Sequence, residues 1–447
     1  MENKERGQFK TSFGFIMAAA GSAVGLGNLW KFPYLCGQNG GGVFVVVYLL
    51  IVVVLGFTMM LGEMAIGRKT QLDPYSAYKS INKKWGFVGA MGILTAFMIL
   101  SFYSVIGGWV IRYIVHSVMG TFAANTTEQF SNFSSAVGEP IFFHAIFMIA
   151  TIAIVFGGIS GGIEKASKMM MPALILLLVV TVARSVTLPG AAAGLEYYLK
   201  PDFSKFNYKV VVAAMGQVFF SLSLGMGAMI TYGSYLDKNE NLEKDALIVP
   251  ALDTLIALLA GFAILPAVFA FGKQPDAGPS LLFITLPEVF QAMPLGRLFA
   301  TVFFVLVLFA ALTSSISLLE VVVSFFIDHR KWNRKMAVLT AGGLMFVVGI
   351  FASLSFGPMK DTLIPILNRN VFDSLDYLTA NWMMPVGGFL MCIFIWKIWG
   401  IDNACAEIRI GDGASFRSEK LWRPLICVVT PIIVLIVLLS ALGIIKS

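Results

Sequence analysis

The chain has 447 residues, of which 58% are hydrophobic and only 13% are charged. That balance excludes an ordinary soluble domain and indicates a polytopic membrane protein, with the lipid bilayer as its solvent and no room for a large soluble unit. The formal net charge of +7 does not point to a nucleic-acid partner, because the basic residues lie in short loops between apolar runs, as membrane orientation requires.

A span needs about 20 apolar residues. On that rule about eleven transmembrane helices are expected, at 13–36, 42–67, 87–119, 141–158, 169–188, 209–236, 246–272, 295–327, 336–356, 376–400 and 422–444. Lys4, Arg6 and Lys10 precede the first span. Arg68, Lys69, Lys79, Lys83 and Lys84 follow the second, Arg330, Lys331, Arg334 and Lys335 follow the eighth, and Arg409, Arg417, Lys420 and Arg423 precede the last. These alternate loops are expected in the cytoplasm. The loop from Thr121 to Pro140 carries Glu128 and Glu139 and no Lys or Arg, so it is expected outside. The protein is thus read as multi-pass in the cell (inner) membrane, with its amino terminus cytoplasmic and its carboxyl terminus extracytoplasmic. Asn125-Thr126-Thr127 and Asn132-Phe133-Ser134 match the glycosylation pattern, which means nothing in a bacterium. Cys36, Cys392, Cys405 and Cys427 form no close-spaced framework, so neither a disulfide scaffold nor a zinc site is indicated.

Two of these runs are interrupted. Gly21-Ser22-Ala23-Val24-Gly25-Leu26-Gly27-Asn28 places three glycines and an asparagine inside the first span. Glycine lets a helix open, and opened backbone at membrane depth survives only where it lines a polar cavity or holds a ligand. Glycines in membrane helices also serve close packing, so this stretch alone leaves both readings open. Phe220-Ser221-Leu222-Ser223-Leu224-Gly225-Met226-Gly227 repeats the feature in the sixth span. Paired interruptions in corresponding helices point to a transporter's binding site near the midplane. The chain is therefore read as a single transmembrane transporter domain over 1–447, with five-span halves at 13–190 and 208–400 and an extra helix at 422–444.

In Gly21–Gln38 (GSAVGLGNLWKFPYLCGQ), Asn39-Gly40-Gly41-Gly42, Phe220–Tyr235 (FSLSLGMGAMITYGSY) and Leu312-Thr313-Ser314-Ser315, the sequence resembles the neurotransmitter:sodium symporter family, in its bacterial amino-acid branch. The resemblance covers nearly the whole chain. It implies an all-α polytopic membrane protein of LeuT-like fold, a 5+5 inverted repeat with discontinuous helices 1 and 6. The implied activity is sodium-coupled symport of a neutral, hydrophobic to aromatic L-amino acid into the cell by alternating access, with two Na+ ions. An amino-acid sensor or a channel-like protein is the competing class. An enzyme is not expected: His116, His144 and His329 are scattered, and no zinc, ATP or dinucleotide motif is present.

The resemblance also assigns residues. The amides of Leu26 and Gly27, at the start of an outer half-helix, and the hydroxyl of Tyr103 hold the substrate carboxylate; a helix amino terminus suits an anion. Taken alone, Tyr103 reads as a packed aromatic with a satisfied hydroxyl. Gly25 stands where monoamine members carry an aspartate, which favours amino acids over decarboxylated amines. One sodium site takes Ala23, Asn28, Ser221 and Asp253; the other takes Gly21, Val24, Ala310, Thr313 and Ser314. Ile99, Phe220, Ser223, Met226, Ser315 and Leu318 line the side-chain pocket. Met226 either admits a large side chain or simply packs on a neighbour.

Asp253 departs from the asparagine of many members. An intramembrane carboxylate reads as functional by default. Its fixed charge replaces a bound chloride in this reading, so transport is expected to be independent of chloride; a protonated Asp253 bonded to backbone is the competing explanation. Tyr48, Gln217 and Ser221 match the family's chloride neighbourhood. Lys31 and Asp376 match the outer gate, with lysine looser than the usual arginine. Arg6 and Asp328 match the inner gate, braced by Ser234 and Tyr235. Glu63 is expected to brace the opened part of helix 6, and Glu320 receives no assignment.

Overall fold

The computed structural model describes residues 7–275, 280–411 and 416–441. Arg6, one half of the expected inner gate, lies outside them.

Among the described residues nine continuous helical stretches are long and apolar enough to cross a membrane. They are numbered here with two broken helices in chain order. The first broken helix is α1a (Ser12–Ala23) and α1b (Gly27–Gln38), which meet at a bend of 51°. Then come α2 (Gly42–Thr70), α3 (Lys83–Met119), α4 (Gly138–Phe156) and α5 (Ile159–Val186). The second broken helix is α6a (Tyr208–Ser221) and α6b (Ala228–Gly233). It is followed by α7 (Leu242–Ala270), α8 (Gly296–Asp328), α9 (Arg334–Leu354), α10 (Val371–Ile408) and α11 (Glu419–Ser440). The apolar run at 209–236 is therefore divided. At 1.5 Å per residue, α6a alone reaches only roughly 21 Å, short of the ~30 Å hydrocarbon core. α5 begins ten residues earlier than its apolar run, through a π-helical turn at Ile159–Glu164.

Short polar side chains start these helices. Thr11 accepts the Gly14 N–H ahead of α1a, and Asn207, Asn241 and Asn333 do the same for α6a, α7 and α9. Each satisfies one of the amides that a helix amino terminus leaves free.

The broken pair lies at the centre. α1a packs against α5, α7 and α8, and α1b against α7 and α6a. α6b packs on α2. α3, α4, α8 and α9 pack on one another as a layer that meets α1a and α5 through α8. Gly108 and Gly349 make that layer tight: a Cβ on Gly108 would fall 2.5 Å from His144 N.

A fully buried cation secures the side on which α2 and α10 end. Arg68 at the end of α2 pairs with Glu407 Oε1 at 3.0 Å and donates to the carbonyls of Glu240, Glu407 and Ile410. Both side chains are essentially buried, at 0% and 1% exposure. Removing one partner leaves an uncompensated buried charge. Arg68→Met is expected to destabilise the protein by about 3–5 kcal/mol, read as thermal or denaturant unfolding in detergent. A loss below ~1 kcal/mol would contradict the clamp.

Candidate functional site

The first break starts at Val24, whose extended backbone (ψ 107) ends α1a. Helix resumes with a cap made by its own third residue: the Gly25 N–H donates to Asn28 Oδ1 and the Asn28 N–H donates to Gly25 O, both at 3.1 Å. This is half of a capping box. The Leu26 N–H donates to Tyr103 Oη at 3.2 Å. The Gly27 amide belongs to the same helix start, so an electropositive end faces Tyr103.

The second break runs through Leu222–Gly227. Ser223, Gly225 and Gly227 have φ of 54, 79 and 76. Gly225 must be glycine on two counts: its φ is left-handed, and a Cβ would overlap the Met384 carbonyl. Glu63 braces the segment as expected, accepting the Gly225 N–H at 2.7 Å. The two breaks are tied together, since Ser223 Oγ donates to Ser22 O at 3.1 Å and Gln217 Nε2 donates to Gly27 O at 2.9 Å.

Between the breaks lies a small cavity. Ala23, Gly25, Leu26, Gly27, Ile99, Tyr103, Phe220, Ser221, Ser223, Met226 and Leu318 line it, joined by Ser22 and Ser314. Ser315 does not. Its hydroxyl faces Thr151 on α4, 2.9 Å away, because residues 314 and 315 point about 100° apart on one helix. A second cavity of about 190 Å³ lies beyond, lined by Trp30, Lys31, Tyr34, Phe372, Asp373 and Asp376 among others. Leu26, Gly27, Tyr103 and Phe220 line both, so Phe220 is part of the partition between them. Gly27 makes room for it, since a Cβ there would sit 2.8 Å from Phe220 Cδ1.

Two clusters of oxygen flank the inner cavity. Ser314 Oγ lies 3.4 Å from Gly21 O, 3.3 Å from Ser22 O and 3.1 Å from Val24 O. Thr313 Oγ1 lies 3.0 Å from Ala310 O and 3.5 Å from Val24 O. One serine proton cannot serve three carbonyls, so the cluster has more acceptors than donors. A hard cation fits such an all-oxygen set. In the other cluster, Asp253 accepts from Asn28 Nδ2 and from Ser221 Oγ, both at 2.7 Å. Its carboxylate is buried with only neutral donors; among the described residues no lysine or arginine bridges to it. Tyr48 Oη, Gln217 Oε1 and Thr254 Oγ1 are buried without hydrogen-bond partners. An uncompensated carboxylate amid unsatisfied polar atoms also suits a cation.

The gate residues are placed differently from a simple ion pair. Lys31 and Asp376 share the outer cavity, but Lys31 Nζ lies 4.3 Å from the centre of the Phe220 ring instead of bridging to the carboxylate. On the opposite side, Asp328 Oδ2 accepts the Asp73 N–H at 2.7 Å. Tyr235 Oη donates to Glu320 Oε1 at 2.6 Å, and Arg334 pairs with Glu320 Oε2 at 2.5 Å. Sequence reasoning left Glu320 unassigned and missed Arg334: fourteen residues and a change of helix separate them, so no helical spacing signals the pair.

This arrangement of two opened helices around a cavity with oxygen-rich flanks defines an ion-coupled membrane transporter. The sequence model of the Sodium:neurotransmitter symporter family matches residues 6–139 and 122–447, and the chain belongs to that family. It is 39% identical to the uncharacterized sodium-dependent transporter YhdH of Bacillus subtilis (strain 168), covering 100% of both chains. It is also 39% identical to an uncharacterized sodium-dependent transporter of Haemophilus influenzae, over 98% of this chain and 99% of that one. The crystal structure of MhsT in complex with L-phenylalanine is similar throughout, with a TM-score of 0.90, 42% identity and coverage of 98% of this chain and 100% of that one. The fold is thus LeuT-like, and the protein is a transporter and not an enzyme.

Gly25 has narrow surroundings within the cavity: a Cβ there would lie 2.5 Å from Ser314 Oγ and 2.9 Å from Tyr103 Oη. Gly25→Ala is expected to weaken sodium-dependent substrate binding by about tenfold or more, roughly 1.4 kcal/mol. Equilibrium binding to purified protein checks this; wild-type affinity would contradict the placement of the site.

Proposed function

We propose that the protein carries a neutral, hydrophobic to aromatic L-amino acid into the cell together with Na+, by alternating access between the two sides of the membrane. The observation that carries the proposal is the convergence of the Leu26 and Gly27 helix start with the Tyr103 hydroxyl above a glycine. A carboxylate at that point meets the amides of a helix start and the Tyr103 hydroxyl, which accepts the Leu26 N–H and keeps its own proton to donate, and Gly25 offers no competing charge. Ile99, Met226 and Leu318 give the remaining wall an apolar character. The L-phenylalanine bound to MhsT, at 42% identity, supports an aromatic limit to the range.

Two sodium ions complete the reading. One takes Ala23, Asn28, Ser221 and Asp253, with the substrate carboxylate as a further ligand. The other takes Gly21, Val24, Ala310, Thr313 and Ser314. Phe220 closes the outer side, with Lys31 and Asp376 above it. Arg6, Asp328 and Tyr235 close the inner side, and the amino terminus lies in the cytoplasm.

Competition by free amino acids against sodium-dependent binding tests the substrate class. Phenylalanine, leucine and related residues are expected to compete, and lysine, glutamate and decarboxylated amines are expected not to. Competition by amines alone would overturn the carboxylate assignment. Saturable, electrogenic accumulation in proteoliposomes separates a symporter from a channel or a sensor.

Asp253 supplies in protein form the negative charge that a chloride would otherwise bring. Uptake is therefore expected to persist at an undiminished rate when gluconate replaces chloride. Asp253→Asn, which removes that charge, is expected to lose most uptake in gluconate and recover part of it in chloride. Collapse of wild-type uptake without chloride would defeat the idea.

A further inference from the structure

Among the described residues no side chain of α4 lines either cavity, yet the buried stripe of this helix is not wholly apolar. His144, Phe147 and Thr151 recur at helical spacing and are all 0% exposed. A histidine inside a spanning helix is costly and reads as functional by default. His144 Nε2 lies 2.8 Å from Ser104 Oγ on α3. Among the described residues that is the ring's only hydrogen bond, since Nδ1 is buried without a partner. Thr151 Oγ1 lies 2.9 Å from Ser315 Oγ on α8. Each of these hydroxyls also has a carbonyl of its own helix within reach, Phe147 O for Thr151 and Leu312 O for Ser315, so one proton can cross between the helices while the other turns back. The neighbours fix the stripe in place: Gly107 on α3 makes room for the Phe147 ring, and a Cβ on Gly349 of α9 would overlap the His144 ring.

Both partners adjoin the site in sequence. Ser104 directly follows Tyr103, and Ser315 directly follows Ser314. Successive side chains on a helix point about 100° apart, so any turn of α3 or α8 about its axis carries both members of a pair. Tyr103 Oη and Ser314 Oγ flank one point, since a Cβ on Gly25 would meet both. Tyr103 accepts the Leu26 N–H, and Ser314 lies among the carbonyls of Gly21, Ser22 and Val24. From behind, α4 therefore grips the residue next to each of these two hydroxyls. A hydrogen bond between membrane helices adds little to stability, so these two bonds are better suited to fixing an angle than to holding the fold.

We propose that His144 and Thr151 are positioning residues that act through their bonding partners. His144, through Ser104, aims the Tyr103 hydroxyl at the amino-acid carboxylate; Thr151, through Ser315, aims the Ser314 oxygen at a sodium ion. The inference rests on the symporter reading. It gives α4, a helix that touches no solute, separate control of substrate affinity and cation affinity.

Two measurements on purified full-length protein test it. The dissociation constant of L-phenylalanine is measured at saturating sodium, and sodium affinity is taken from the rise in unfolding temperature with sodium alone. His144→Leu is expected to weaken phenylalanine binding about tenfold and to leave sodium affinity within about twofold. Thr151→Val is expected to do the reverse, raising the half-saturating sodium concentration about tenfold while phenylalanine affinity stays within about twofold. Ser104→Ala and Ser315→Ala cut the same bonds from the other end and are expected to repeat the two patterns; they give the result should either α4 variant fail to fold. Because His144 acts through Tyr103, His144→Leu is expected to cost nothing further in a Tyr103→Phe background. An unchanged affinity for the matching solute overturns the assignment, as do losses that add to those of Tyr103→Phe. Equal losses of both affinities in either variant also overturn it, being the mark of a merely structural role. Absence of sodium-dependent phenylalanine binding in the wild-type protein defeats the symporter reading and this inference with it, whereas normal wild-type binding with equal losses in the variants defeats only the role of α4.

Discussion

Hydrocarbon offers no hydrogen bonds, so every backbone amide and carbonyl released inside a membrane must find a partner in the protein. The two broken helices at the centre of this chain release such groups at one depth, and most of the buried polar side chains nearby exist to receive them. Tyr103 takes the Leu26 amide, Asn28 takes that of Gly25 and Glu63 takes that of Gly225. Gln217 and Ser223 donate to carbonyls of the first break from the second helix. What these partners leave over is informative. The carbonyls of Gly21, Ser22 and Val24 all lie within reach of the single Ser314 hydroxyl, and among the described residues Gly21 has no other side-chain donor. The candidate site lies where these released groups outnumber or only loosely engage their partners.

The buried carboxylates follow the same logic. Glu320 and Glu407 each have an arginine, and each ties together helices of the supporting layer or of the opposite end of α2. Glu63 and Glu164 accept backbone amides and hold the ends of broken or π-helical segments. Glu63 and Asp253 are both met only by neutral donors, but Glu63 is held by the Gly225 backbone amide whereas Asp253 is held by the side chains of Asn28 and Ser221. A buried charge without a countercharge is costly, and a mobile cation removes the cost only while it is bound. In the proposed symport, Asp253 is the one of these carboxylates bonded to Ser221 of the cavity wall, where such a cation would act.

Much of this could be read from residue order alone, for definable reasons. Spans announce themselves by length and hydropathy, and Gly-Leu-Gly and Gly-Met-Gly marked both breaks because glycine is what an opened backbone requires. Asp253 and Glu63 were visible as charges inside apolar runs. Ser314 and Ser315 were not separable by composition, since adjacent serines on one helix face different neighbours and only the helix rotation decides which meets the cavity. Arg334 with Glu320, and Arg68 with Glu407, join residues far apart in the chain, so nothing local announces them. Glu164 looked like part of a loop because the apolar run of α5 begins later than its helix, which starts with a π turn through glycines.

The account stands on the claim that the backbone opened at residues 24–27 and 222–227 is what grips the solute. An experimental structure determined in sodium with a saturating hydrophobic L-amino acid tests this most directly. The predicted result is the solute's carboxylate against the amides of Leu26 and Gly27 and the Tyr103 hydroxyl, with a cation beside Asp253. Continuous helical turns through both stretches, or the amino acid seated elsewhere with those amides bonded to protein, would contradict it.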